Sequence, residues 1–202
     1  MPISISGDGT ITGVSVGGLP DGIVDTDMLA TSAVATAKIA NDAVDATKIG
    51  SNTFVSYAVI YDQKGGSNDG GTFTQGDWRT RDLNTEISDA DGIVSISSNQ
   101  FTLGAGSYLI RWSAPAYDVS RHIARLYDIT ADALVARGSA ESANTTSAHT
   151  NRSHGAARVT ITADNVYEIQ HRCSSTKADS GFGIASDFNN NVYTIVEIYK
   201  EA

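Results

Sequence analysis

The sequence predicts a mainly β protein: a C-terminal antiparallel jelly-roll β-sandwich, preceded by a thin repetitive stalk of several chains. Three observations carry that expectation. All eight Tyr, five Phe and two Trp fall after residue 52, so only residues 52–202 hold the large side chains that a core requires. Within that region short runs alternate apolar and polar residues between clusters of Gly, Asn, Asp and Ser. The spacing corresponds to roughly eight to ten strands of a sandwich and to no long helix. Ahead of it, residues 23–49 place an apolar side chain at every fifth position.

Taken in order, residues 1–22 form a Gly- and Ser-rich arm, "MPISISGDGTITGVSVGGLPDG", with Ile11, Val14 and Val16 in a short alternating run. Two or three short strands joined by Gly turns are expected there, followed by the Pro20-Asp21-Gly22 turn. Such an arm has too little apolar material to fold alone. It is expected to thread into a partner or to pair with its own copies.

Residues 23–51 carry the anchors Val24, Leu29, Val34, Ile39, Val44 and Ile49. A period of five fits neither a helix nor a half-buried strand. Written in tens the stretch reads IVDTDMLATS, AVATAKIAND, AVDATKIGSN, an internal repeat. Fixing a backbone costs about 1–2 kcal/mol per residue, and one buried aliphatic side chain returns about 1.5–3 kcal/mol. A decad with two anchors therefore cannot hold itself in place. Several copies side by side, each turning its anchors to a shared axis, resolve the deficit, with Thr36 and Thr47 capping single helical turns. The alternative is a flexible Ala/Thr-rich linker.

Residues 52–202 supply the head. "TFVSYAVIYD" sets Val55, Tyr57, Val59 and Tyr61 on one face; "GSYLIRWSA" sets Tyr108, Ile110 and Trp112 opposite Leu109, Arg111 and Ser113. "RHIARLYDIT" sets Ile123, Arg125, Tyr127 and Ile129 against Ala124, Leu126 and Asp128. "ARVTIT" and "VYEIQHRC" flank Ala163-Asp164-Asn165 and read as a hairpin. In the last strand Val192, Val196 and Ile198 oppose Tyr193, Ile195 and Tyr199. A sandwich strand needs one apolar face, so the second is expected at a subunit interface.

Net charge −9 and the absence of any Lys/Arg run argue against nucleic acid as a partner. The same balance is expected to repel acidic polysaccharide unless divalent cations bridge the two. Cys173 is the sole cysteine, so no intrachain disulfide forms. The N-terminus lacks the pattern of a signal peptide, and no window approaches the roughly 18 apolar residues of a membrane span. Assembly in a cytoplasm is expected.

Chemistry is sparse. Asp118, Ser120 and His122 are the residue types of a nucleophilic triad, but alternate residues of an extended chain stand about 6.5–7 Å apart, beyond a hydrogen-bond relay. His149 and His154 match no zinc spacing and are expected in a solvated loop; an ion held by copies of a loop histidine meeting on a shared axis stays open. No carboxylate pair stands out as a glycosidase couple. The glycines of "GAG" and "GFG" open no helix and are turn or packing residues. Cys173 is expected as a small buried apolar residue. No catalytic residue and no cofactor is expected. A ligand-binding surface remains: Asp77 with Trp78 in "GDWRTR", and Phe188, Asn189, Asn190 and Asn191, aromatic and amide groups of the kind that hold sugars. The alternatives are a core role for Trp78 and a plain turn for the Asn run.

The opening "GDGTITGVSVGGLPDG" with the decads "AVATAKIANDAVDATKI" resembles the N-terminal part of tail-fibre and related appendage proteins of marine and freshwater phages, cyanophages included. "FTLGAGSYLIRWSAPAY", "HIARLYDIT", "YEIQHRC" and "GFGIASDFNNNVYTIVEIYK" are similar to the trimeric jelly-roll heads of such fibres. They also resemble complement-type and tumour-necrosis-factor-like heads at Gly106, Tyr108 and Leu109 and at Gly181, Phe182 and Gly183. The resemblance implies a homotrimeric virion protein. Its arm would dock on tail, neck or baseplate proteins, and its head would bind a host glycan or outer-membrane receptor. About three decads are few for a main fibre. A side fibre, or a structural appendage of neck or capsid without a receptor, stays open beside it. A depolymerase is the weakest reading, since polysaccharide-cleaving spikes generally use long repetitive folds.

Overall fold

The computed structural model describes residues 54–144, 146 and 149–202, together with Ser4–Ile5, Ile11–Thr12, Ile39 and Val44. The chain divides into two compact units, Met1–Asp45 and Ala46–Ala202. In the first, β1 (Ser4–Ile5) pairs antiparallel with β2 (Ile11–Thr12), short strands of the kind the Gly-rich arm predicts. Val24, Leu29, Val34 and Ile49 lie outside the described residues. Ile39 and Val44 are exposed in the single chain.

The second unit is all β among its described residues. Its strands are β3 (Phe54–Lys64), β4 (Arg79–Thr80), β5 (Thr85–Asp89), β6 (Val94–Ser97), β7 (Gln100–Leu103) and β8 (Gly106–Tyr117). They continue as β9 (Ser120–Asp128), β10 (Ala133–Ala143), β11 (Thr150–Ile161), β12 (Asn165–Cys173) and β13 (Asn191–Glu201). All pairings are antiparallel, in a five-stranded sheet β11-β8-β13-β3-β5 and a six-stranded sheet β10-β9-β12-β7-β6 with β4 on β12. Only β6–β7 and β9–β10 join neighbours within a sheet; every other connection crosses between layers, the layout of a jelly roll.

That layout overturns the expected hairpin at residues 163–165. β11 pairs with β8 along its whole length and β12 pairs with β9, so this turn carries the chain from one sheet to the other. A turn signal fixes a reversal of direction and leaves the pairing partner undetermined.

Between the sheets the alternation of each strand delivers its inward side chains. Tyr108, Ile110 and Trp112 of β8 meet Ala124 and Leu126 of β9, Phe101 and Leu103 of β7, Tyr167 and Ile169 of β12, and Val196 and Ile198 of β13. From β3 the core takes Ala58 and Ile60, and Val55, Tyr57 and Tyr61 lie on the opposite face with Val59, which is buried there. A bulge between Val192 and Ile195 resets the pattern of β13, so Tyr193 is buried and does not share the side of Ile195 and Tyr199.

Phe54 and Glu201 are paired at one end of the sandwich and Lys64 with Asn191 at the other. At that far end the loops converge: Tyr117 N donates to Gly181 O, Gly70 N to Gly183 O, and Ser174 N to Arg121 O. Phe73, Ala116, Val119, Ala143 and Cys173 form a second small core beneath them.

Gly155 marks the tightest approach inside the head. A Cβ there would lie 2.0 Å from Cζ2 of Trp112, whose ring fills the space above the glycine. Gly155→Ala therefore forces the indole off its seat, and overpacking of this kind costs about 1–3 kcal/mol. A thermal or denaturant melt of the variant is expected to show that loss, and an unchanged midpoint would contradict the packing described.

Candidate functional site

Phe188 projects from the far-end loop at 91% exposure, with Asn189 and Asn190 exposed beside it and Asp187 in the left-handed region at φ 61°. Asn191 is a correction to the expected site. It is buried; its Oδ1 accepts from Ser186 N at 2.9 Å and its Nδ2 donates to the carbonyls of Gly65 and Gly66 at 3.1 and 2.7 Å. It closes the loop that presents its neighbours.

Trp78 is not in the core. It is half-buried on the outer side of the six-stranded sheet, its ring 3.9 Å from the guanidinium carbon of Arg125 and 5.7 Å from that of Arg137, with Asp77 exposed next to it. Arg125 also lies 4.6 Å from the Tyr127 ring, and its Nε donates to Gln170 Oε1 at 2.7 Å. A guanidinium held between two aromatic faces and an amide has little rotamer freedom left to lose on binding.

Register extends this into a surface. Arg121 faces Ser142; Ile123 lies between Ala140 and Arg172; Arg125 lies between Arg137 and Gln170. Paired residues share a face, so Arg121, Arg125, Arg137 and Arg172 surround an apolar floor of Ile123 and Ala140. An open cleft of about 540 Å³ lies here, lined among others by Arg121, Ile123, Glu141, Ser142, Arg172 and Ser174. Sequence reasoning missed the four arginines, which come from three strands. The available signal was Arg121 and Arg125, four residues apart on one predicted strand and therefore on one face.

Beneath the sheet a polar chain is sealed in. Asn151 Oδ1 can only accept, so His122 Nε2–H donates to it at 2.8 Å, leaving His122 Nδ1 to accept from His171 Nε2–H at 2.9 Å. His171 Nδ1 is then a bare, buried acceptor without a partner among the described residues. Burial pushes both imidazoles below their ordinary range, strongly for His171, and the Arg81 guanidinium adds to the shift at each. Protonating His171 would create a buried N–H with nothing to donate to.

Asp118, Ser120 and His122 do not assemble into a triad. Asp118 Oδ2 accepts from Lys177 Nζ at 2.7 Å, Asp118 and Ser120 both have positive φ, and His122 is spent on His171 and Asn151. His149 is exposed ahead of β11, whereas His154 lies within that strand, not in the expected loop. Cys173 is buried as expected, its thiol pushed up to about 11 by desolvation.

The outer side of the five-stranded sheet has a different character. Leu109, Tyr199 and Tyr57 form one row across it, and Ile195 and Tyr61 another. Tyr199 lies 4.9 Å from Tyr57 and 5.0 Å from Phe54, ring centre to ring centre; Phe54, Val55, Tyr57 and Ile87 are exposed.

The histidine pair has a measurable signature. With both pKa values lowered in the fold, the unfolded chain binds more protons, so stability is full above the ordinary value of 6.5 and is lost as pH falls through the folded values. The melting midpoint is expected to decline from pH 6.5 downward, and His171→Gln to flatten the decline. A midpoint that holds steady through that window would contradict a neutral buried pair.

No protein-family model matches the chain, and no curated protein matches it. Among solved structures it is similar to murine APRIL at pH 5.0, with 10% identity, a TM-score of 0.48, and 72% of this chain and 98% of that one covered. It is similar also to Eiger TNF from S. frugiperda, with 12% identity, a TM-score of 0.48 and coverage of 72% and 92%. The globular domain of zebrafish complement 1qA protein gives 15%, 0.44, and 72% and 96%. The jelly-roll assignment rests on the strand pairing itself.

Proposed function

We propose that this chain forms a homotrimeric phage appendage, a tail fibre whose head binds a glycan on the host-cell surface during adsorption and performs no catalysis. The phage assignment rests on the decads and the Gly-Gly-Leu-Pro opening, with residues 1–22 docking on other virion proteins. The observation that carries the binding role is Trp78, a half-buried indole fixed against Arg125 beside an open cleft on a rigid sheet. An aromatic face and planar polar groups on a scaffold suit a sugar ring. Three heads on one stalk act together, and several fibres per particle raise the effective affinity further.

The trimer is supported by the aromatic rows on the outer five-stranded sheet. Tyr57, Tyr199, Leu109 and Ile195 exceed what a solvent face needs, and three copies closing around this side would cover them.

Two experiments test the reading. Sedimentation of the full chain is expected to give about three times the 21.2 kDa chain mass, and Tyr57→Glu to shift it toward monomer with the β circular-dichroism signal kept. A monomeric wild type would defeat the trimer. Labelled protein is expected to adsorb saturably to a permissive host in competition with virus, with Trp78→Ala losing about tenfold or more. A folded trimer that adsorbs to no permissive host would leave a purely structural appendage in its place.

A further inference from the structure

Resting on that binding role, we infer that the outer face of the six-stranded sheet takes an acidic polysaccharide, its carboxylate, sulfate or phosphate groups held by Arg121, Arg125, Arg137 and Arg172. The chain as a whole carries net charge −9, yet this face gathers four guanidinium groups. Among the described residues none of the four lies within 4.0 Å of a carboxylate oxygen; the ion pairs of the head are made by other cations. Glu168 is buried under the same face, but its oxygens accept from the amides of Gln100 and Gln170. Glu141 lines the cleft, exposed Asp77 stands beside Trp78, and Asp132 accepts from the Tyr127 hydroxyl, on the ring against which Arg125 packs.

Burial disfavours the charged form of Arg125, and Arg137 and Arg172 add to that, while Tyr127 and Glu168 act against it. A cluster of like charges held on adjacent strands is stabilised by an anion placed among them. Arg forks bind such groups in pairs of parallel hydrogen bonds, which fixes orientation as well as charge.

The floor and its surroundings argue for a sugar. Ile123 and Ala140 give an apolar base, Ser142 and Ser174 add hydroxyls at the rim, and Trp78, stacked on Arg125, offers an aromatic face on the same side of the sheet. The cleft of about 540 Å³ falls inside the about 300–1,000 Å³ of small-ligand sites. Arg121 and Arg125 rise about 13 Å apart along β9, so a polymer charged at each repeat engages more than one of them. A nucleic-acid duplex would offer the same anions, but it would need a basic surface tracking its backbone, and the rest of the chain is acidic.

Retention of the full-length protein on immobilised polygalacturonate, dextran sulfate and phosphorylated dextran, with neutral dextran as reference, tests this. We expect retention on at least one acidic polymer and none on neutral dextran, falling steeply with salt. Arg121→Gln/Arg172→Gln, with sedimentation and melting midpoint unchanged, is expected to lose tenfold or more; the polymer retained best identifies the anionic group. Equal retention on neutral dextran, retention indifferent to the double substitution, or a 30-base-pair DNA duplex competing as well as the polysaccharide would each overturn the assignment. The same proteins in host adsorption separate the two readings. Adsorption undiminished in the double variant overturns the acidic-glycan site and leaves receptor binding standing. Arginine-dependent polymer retention without adsorption to any permissive host supports the site and removes the fibre role.

Discussion

The head is organised around one buried cation. Arg81 is fully buried, and an unpaired guanidinium there would cost several kcal/mol even after relaxation. Its partners therefore have to converge. Nε donates to Thr194 on β13 at 2.8 Å, one terminal nitrogen to Pro115 O on β8 at 3.2 Å, and the other to Phe182 O at 2.9 Å, with the Phe182 ring 4.1 Å away. Asp62 of β3 stands 4.0 Å off, and the Arg81 backbone N–H joins Ile169 O on β12. Burial lowers the guanidinium to about 10, and it stays charged at neutral pH. For Asp62 burial outweighs both cations and raises the carboxyl, while Lys64 supplies the 2.8 Å donor. One residue thus joins both sheets and the far-end loop, its backbone to the six-stranded sheet and its side chain to the five-stranded sheet and the loop.

That tie reaches the surface through the chain. Trp78 stands three residues before Arg81, and the strand between them, β4, is two residues long. So short a strand holds little by itself. Arg81 supplies the anchorage, and the indole inherits it. The buried histidine chain under the same sheet has a related effect: a hydrogen-bonded path from His171 through His122 to Asn151 links β12, β9 and β11 and stiffens the edge where the layers meet. A binding face built on strands and braced from below holds its geometry better than one built on loops.

Alternation made the core strands legible. Tyr108, Ile110 and Trp112, or Ala124 and Leu126, needed only a period of two and a count of which residues were apolar. The register of Tyr193 was hidden because a bulge is a local geometry with no fixed residue signature. Asn191 could not be told from Asn189 and Asn190 by type, since what distinguishes it is a pair of carbonyls at Gly65 and Gly66, far back in the chain. Sequence leaves Trp78 open between a binding residue and a core residue, because its packing partners, Arg125 and Arg137, lie two and three strands away in the sheet. Local chemistry is written in sequence; juxtaposition across a jelly roll is decided by crossings between sheets.

Net charge is the instructive case. From −9 the sequence argues for repulsion of polyanions, and at distances beyond about 8–10 Å of salt screening that argument concerns very little. What a bound group experiences is the charge within that radius. On the outer six-stranded face the near field is set by arginines spaced along and across strands, with one of the nearby carboxylates buried and engaged by amides. The acidic remainder of the head governs approach and solubility, whereas the arginine basin governs contact. The two act at different distances, so an acidic chain can present a cationic site without contradiction, and composition alone cannot rank its partners.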